Sequence, residues 1–373
     1  MSAPLRRTVL HSFHLSRKAR MGPFAGYEMP IQYPGGASRE HLHTRRAAGL
    51  FDLSYFGYIE LHGADREKFF EWLTPSCVSE LPEGQSALTI FMNEAAGVKD
   101  DCIVSKLPGH LLAVVNAGCK EKDVAHLRAR LAEFKGDVTL VELDRAMVSL
   151  QGPMAAAALA PYVEDLDKML FMRCRRNVRI NGIDTTLTRC SYSGEDGFDI
   201  IMKPEDALPF VEVLLRNPEV QMCGLAARDS LRIEAGLCLY SHELAEDIDP
   251  VAARIAWCVP RRRMAEGGFI GHERLVQLVA RPKELVPRVR VGVTSVTKGP
   301  VPRTGMPILL DGKLVGEVTS GVPSPTLGRH IAMGYADRAA ATVGQLVEID
   351  VRGRRVPGEI VLPRFVSARY YKG

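Results

Sequence analysis

LTIFMNEAAGVKDDCIV, residues 88–104, reads as two strands joined by a tight turn. Ala87–Met92 and Val98–Ser105 are apolar and β-branched, and the five-residue loop Asn93-Glu94-Ala95-Ala96-Gly97 between them ends on glycine, as hairpin loops do. Asp100 and Asp101 open the second strand, where the period of two sends adjacent side chains to opposite faces, so only one can enter a given cavity. A third strand follows at Leu111–Val115. Lys120–Phe134 then places Val124, Leu127, Leu131 and Phe134 at helical spacing. Upstream, Ser38–Leu50 reads as a helix with Ser38 as N-cap, Phe51–Leu61 as a strand, and Asp65 as the cap of a helix through Leu73. Downstream, Val138–Leu143 and Met147–Leu150 read as strands, Met154–Val163 as a helix, and Val178–Ile200 as two or three strands. Helices are expected from Pro204 to Leu215 and from Gly224 to Gly236. After Pro287 the chain turns to short β-rich runs with turns at Asp311-Gly312, Gly321 and Gly353, a pattern suited to a small barrel. The expectation is α+β to about residue 260 and all-β from about 285, joined by a charged connection containing Arg261-Arg262-Arg263.

The length, 373 residues, suits two or three domains at about 150 residues each. With 46% hydrophobic and 25% charged residues, the composition excludes disorder. A net charge of +4, spread along the chain, lacks the concentrated basic patch that phosphate-backbone binding needs, so nucleic acid is not expected as a partner. No apolar run approaches a membrane span; the richest, Met154–Leu159, is mostly alanine. Eight cysteines occur singly with no C-x-x-C pair, which argues against a structural zinc site or a disulfide framework. His41 and His43 diverge on a helix, and no metal is expected. The first 27 residues hold Arg6, Arg7, Arg17, Lys18 and Arg20 but no acid, the bias of a mitochondrial transit sequence and equally that of a basic terminal arm.

Phosphate-loop, nucleophile-elbow and zinc-hydrolase motifs are missing from the sequence. Three polar clusters remain. Asp100-Asp101 beside a turn is a solvated edge more often than a catalytic pair. Tyr192-Ser193-Gly194-Glu195-Asp196-Gly197-Phe198-Asp199 either turns the chain or grips a ligand. Arg228, Asp229, Arg232 and Glu234 recur at spacings that permit a surface salt-bridge ladder along one helix.

FAGYEMPIQY (24–33), the 88–104 hairpin, VVNAGCKEKD (114–123), LQGP (150–153), RCSYSGEDGFDI (189–200), GLAARDSLRIEAGLCLY (224–240) and TSGVPSPTLGRHIAMGY (319–335) together resemble the aminomethyltransferase family, the T-proteins of the glycine cleavage system. The segments follow the family's order across essentially the whole chain. The resemblance implies a three-domain cloverleaf around a central folate cavity: a discontinuous α+β domain of residues 1–50 and 140–260, a second of 51–139, and a C-terminal β-barrel of 285–373. It also implies transfer of an aminomethyl carbon from the lipoyl arm of a partner H-protein to tetrahydrofolate, in a monomer of the mitochondrial matrix or, alternatively, of a bacterial cytoplasm.

By position, Asp101 in DDCIV matches the family's catalytic aspartate and Asp100 is its neighbour. Asn116, Tyr192, Arg228 and Tyr370 fall at folate- or ligand-contacting positions, and Trp257 and Arg290 correspond to cavity positions. Two departures stand out. The family's pterin-gripping glutamate is Asp199 here, one methylene shorter, and Tyr55-Phe56 replaces a common His-Met pair. The fold also serves folate-binding iron-sulfur assembly factors, the non-catalytic alternative. Their Lys-Gly-Cys motif would fall where this chain has Arg189-Cys190-Ser191-Tyr192. Related sarcosine and dimethylglycine dehydrogenases carry a flavin domain, for which this length leaves no room. Arg261 to Arg263 and Arg352, Arg354 and Arg355 are basic candidates for an acidic partner.

Overall fold

A computed structural model describes residues 4–297 and 299–373. An antiparallel five-stranded sheet, a mixed six-stranded sheet and a closed barrel organise them. The hairpin at 88–104 is real: Gln85–Met92 pairs antiparallel with Val98–Leu107, which pairs in turn with His110–Val115. Gly97 is needed at the turn because a Cβ there would lie 1.8 Å from the Glu246 carbonyl oxygen. Gly57–His62 and Thr139–Leu143 complete this five-stranded sheet. Its apolar face packs under the helices Arg66–Leu73 and Lys120–Glu133, through Phe69, Phe70, Leu73, Val124 and Leu127.

The second sheet has six strands, in the order Cys174–Ile180, Ile183–Arg189, Gly197–Met202, Ala146–Gln151, Ala48–Asp52 and Val220–Met222. Ala48–Asp52 corrects two expectations. The helix begun at Ala37 ends at Arg46 instead of running to Leu50, and the strand expected over 51–61 is two strands belonging to different sheets. Every residue of Ala48–Asp52 is buried between neighbours on both sides, so tertiary pairing overrides the helical pattern. The boundary expected at residue 140 falls inside Thr139–Leu143, which bonds to Gly57–His62. The helix expected over 154–163 shortens to Ala155–Leu159.

Six strands between Arg288 and Val361 close the C-terminal barrel. Asp311-Gly312 and Arg352-Gly353 turn its hairpins with positive φ at both residues, as two-residue turns require. Gly321 does not turn the chain. It lies inside Lys313–Ser324, where a Cβ would sit 2.3 Å from the Pro302 carbonyl oxygen. The connection at 261–286 is helical, and its Arg263 is buried against the Glu71 carbonyl while Arg262 is paired with Glu80 and Glu266, so only Arg261 of that trio stays exposed and unpaired.

Apolar clusters join the units. Phe51, Tyr55, Tyr58, Leu112, Met147 and Leu231 link the two sheets, and Ile90, Met92, Leu244, Ile255, Val289 and Tyr335 link the hairpin lobe to the connection and the barrel. The helix Leu225–Ala235 lies between the six-stranded lobe and the barrel, with Ile233 against Val322, Ile331 and Met333.

Candidate active site

Asp101 stands on Val98–Leu107 just beyond the last residue of the neighbouring strand, where the chain leaves Val115 for Asn116. Asn116 Nδ2 approaches Asp101 Oδ1 at 3.0 Å and Asp100 Oδ1 at 2.9 Å, and the Asn116 backbone N–H donates to Asp100 Oδ2 at 3.0 Å. One amide thus reaches both acids, although their side chains start on opposite faces, because the partner strand has ended there. Asp100 is fully buried and Asp101 half-buried. Asp100 is therefore no solvated edge; it anchors Asn116. Burial, then the charge of Asp100, pushes the Asp101 carboxyl up to about 7, against the Asn116 hydrogen bond that favours its charge.

The six-stranded lobe and the helix Leu225–Ala235 bring Tyr192, Asp199 and Arg228 together. The Tyr192 hydroxyl donates to the Cys238 carbonyl at 2.5 Å, and the Arg228 guanidinium lies 4.4 Å from its ring centroid. Tyr192 feels the charges of both Arg228 and Asp101, which places the three in one neighbourhood. Asp199 sits on Gly197–Met202 opposite Ser149 and Thr188, with the Cys190 thiol donating to it at 3.1 Å. Burial raises its carboxyl, opposed by Ser149, Arg228 and Cys190. Among the described residues Arg228 has no carboxylate partner and no side-chain hydrogen bond. A half-buried guanidinium left unmatched is suited to an anionic or carbonyl-bearing ligand. Tyr55 and Phe56 form an aromatic wall with Phe24 and Tyr27, and Tyr55 lies within the fields of Arg228 and Asp199.

The remaining sequence candidates are placed differently. Arg290 is buried and braced by the Ala253 carbonyl at 2.8 Å, the Gly236 carbonyl at 2.9 Å and Met333 Sδ at 3.4 Å, which ties the barrel to the loops beside the site. Tyr370 stacks on Phe171 with centroids 4.3 Å apart. Trp257 is 69% exposed. The remaining charges of Leu225–Ala235 are not a surface ladder: Arg232 is buried on Glu243 and Ser320, and Glu234 on Arg45, Ser324 and Thr326. An open recess of about 660 Å³ lined by Gly84, Leu107, Cys174, Arg176 and Val178 lies apart from these groups.

Sequence reasoning named Asp100 only as the neighbour of Asp101 and passed over Cys119 and Asp123. The signal available was Cys119 and Asp123 four apart at the start of a helix, beside its apolar stripe, a spacing that puts both on one face.

Two α+β lobes and a C-terminal barrel, with a half-buried acid held by Asn116 and a half-buried arginine that has no carboxylate partner among the described residues, suit a group-transfer enzyme. The GCVT N-terminal domain family model matches residues 10–263, and that of the glycine cleavage T-protein C-terminal barrel domain matches 288–367. The mitochondrial aminomethyltransferase of Dictyostelium discoideum is 39% identical over 100% of this chain and 95% of its own length. That of Homo sapiens is 40% identical over 98% and 91%. The crystal structure of the glycine cleavage system aminomethyltransferase T from Bartonella henselae superposes with a TM-score of 0.92 at 35% identity, covering 99% of this chain and 100% of that one. The chain belongs to the glycine cleavage T-protein family, the folate-dependent aminomethyltransferases.

Proposed function

We propose that this chain moves the aminomethyl carbon from the lipoyl arm of an H-protein to tetrahydrofolate. The carbon lies between sulfur and nitrogen. Departure of the amine as ammonia leaves an electrophilic carbon that a folate ring nitrogen attacks, and the C–S bond then breaks as the second folate nitrogen closes the bridge. The two protons lost from the folate nitrogens are those gained by ammonia and by the thiol of the dihydrolipoyl arm. The products are 5,10-methylenetetrahydrofolate, ammonia and the reduced arm.

The observation that carries this reading is Asp101: an acid pinned by Asn116, raised to about 7, and close enough to Tyr192 for its charge to act there. Its ionised form orients the reacting nitrogens, accepts a proton and stabilises positive charge as it develops. Asp199 is suited to gripping the pterin amino group and the adjacent N–H, and Arg228 and Tyr192 to holding the folate. Arg290 braces the loops beside the site through the Ala253 and Gly236 carbonyls. The lobes exclude water from the electrophile. No helix is long and apolar enough to cross a membrane. The mitochondrial names of the relatives favour the matrix for this chain.

The test is Asp101→Asn with aminomethylated H-protein. Turnover should fall by roughly two orders of magnitude or more, with folate affinity kept. Near-normal turnover would remove Asp101 from the chemistry. A protein that binds folate but releases no ammonia even as wild type would instead be the non-catalytic folate binder.

A further inference from the structure

Behind Asp101, the hairpin strand and the start of Lys120–Glu133 bury three groups that the transfer chemistry leaves unused. One oxygen of Asp100, the Cys119 sulfur and one oxygen of Asp123 lie within 4.8 Å of one another. Asp100 is fully buried, and Cys119 and Asp123 are each 1% exposed. Among the described residues neither carboxyl belongs to an ion pair. The ammonium groups of Lys99 and Lys122 turn to Glu246 instead, at 3.5 and 3.2 Å. Asp123 Oδ2 meets no donor.

Two ionised carboxylates this close and this dry repel one another without compensation. One proton neutralises the pair at least cost, and its place follows from the donors. Asp100 receives two N–H groups from Asn116, which favour its charged form, whereas Asp123 Oδ2 receives none. A bound cation would need the Cys119 thiolate as its third ligand. Burial and the neighbouring acids push that thiol far above its ordinary value.

We propose that Asp123 is a positioning residue: it carries the single proton of the buried Asp100–Asp123 pair and donates it to Asp100, which holds Asn116 and through it sets the orientation and charge of Asp101. This rests on the reading of Asp101 as the catalytic acid. The Asp123 carboxyl, raised by burial and then by Asp100 to about 10, stays protonated at any working pH.

From the hairpin strand, Lys99 and Cys102 face the pair, and from the helix start Cys119 and Lys122 do. Cys258, Cys238 and Tyr192 face Asp101 from the other units. Burial keeps those thiols and the phenol neutral near pH 7, so the charge acting on Asp101 is that of Asp100, while Lys99 and Lys122 act on Asp123.

The proposal makes opposite predictions for two variants. Asp123→Asn keeps a neutral N–H donor toward Asp100 and should leave the acid limb of the kcat profile where it was. Asp123→Ala removes the donor, concentrates charge on Asp100, and should move that limb to higher pH by about half a unit or more. If Asp123 were ionised in the native protein, Asp123→Asn would delete a negative charge and move the limb to lower pH, which overturns the proposal. A readout free of activity is the infrared carboxylic-acid C=O band of the ligand-free enzyme at pH 8. It should be present in the wild type and in Asp101→Asn, and lost in Asp123→Asn. Loss in Asp101→Asn with retention in Asp123→Asn, or stoichiometric divalent metal that Asp123→Asn abolishes, would also overturn it. The spectrum decides the protonation whether or not Asp123→Ala folds. It also separates this failure from failure of the catalytic assignment, which Asp101→Asn turnover reports alone.

Discussion

Asp101 is a residue the fold carries at a cost. Its proton is held to about 7 in the native protein but leaves near 4 in the unfolded chain, so between those values the unfolded state binds fewer protons and stability falls as pH rises. Asparagine carries no such penalty. Asp101→Asn should therefore melt above the wild type at pH 8, and the gap in Tm should shrink as pH is lowered through 7 toward 4. A gap independent of pH would show that the substitution acts through packing. Asp199 poses the complementary question of reach. Its shorter carboxylate already accepts from Cys190 and is matched in register with Ser149, so the strand holds it firmly. Asp199→Glu should keep or improve tetrahydrofolate affinity in titration calorimetry, and a loss of tenfold or about 1.4 kcal/mol would mean that the backbone has adapted to the shorter acid.

Helix Leu225–Ala235 shows what an element does that its residues singly do not. It carries Arg228, pairs Asp229 with Arg232 along its own length, and commits Arg232 and Glu234 to holding the lobes together. Burial opposes ionisation of Glu234, but hydrogen bonds from His41 and Ser324 and the charge of Arg45 hold its carboxyl down at about 2. The stabilisation is complete above the unfolded value near 4.3 and is lost as pH falls through about 2. Glu234→Gln leaves Arg45 buried with half its counter-charge and should cost about 3–5 kcal/mol at pH 7 by denaturant unfolding, with a smaller deficit at pH 3. This helix also marks the limit of what was legible in the sequence. Its extent and its terminal Gly236 followed from periodicity and capping, as did the 88–104 hairpin and Lys120–Glu133. Its charges were misjudged as a solvated ladder because the spacing that permits ion pairs along a helix is the same spacing that presents them to a neighbouring unit. Asp101 and Arg228 were named through family resemblance, since local pattern alone left an acid pair beside a turn ambiguous. The closeness of Asp100 to Asp123 escaped because it spans a strand and a helix that no one-dimensional period connects, and Ala48–Asp52 escaped because strand pairing on both sides overrode a helical pattern.

At the scale of the molecule, the chain's final segment returns from the barrel to the six-stranded lobe. Phe365 and Val366 donate backbone N–H groups to the Glu234 carbonyl, and Arg369 donates its own to the Gly194 carbonyl at 2.7 Å while its guanidinium pairs with Glu195. Tyr370 then stacks on Phe171, and the Tyr371 ring lies 3.9 Å from the Arg189 guanidinium. Gly236 makes this route possible, since a Cβ there would meet the Pro363 carbonyl at 1.7 Å. The segment crosses the loop that carries Tyr192, so its contacts hold one wall of the site. The barrel is thereby tied to the loop that carries Tyr192. Deleting residues 369–373 removes the Arg369–Glu195 ion pair, two backbone hydrogen bonds and two ring contacts while leaving the barrel closed. The deletion should weaken tetrahydrofolate binding by roughly tenfold, since ordering the 189–196 loop would then be charged against ligand affinity. Hydrogen exchange should rise at residues 189–196 and near Phe171 and stay unchanged in the barrel strands. Unchanged exchange at 189–196 together with normal affinity would show that the loop holds Tyr192 without help from the tail.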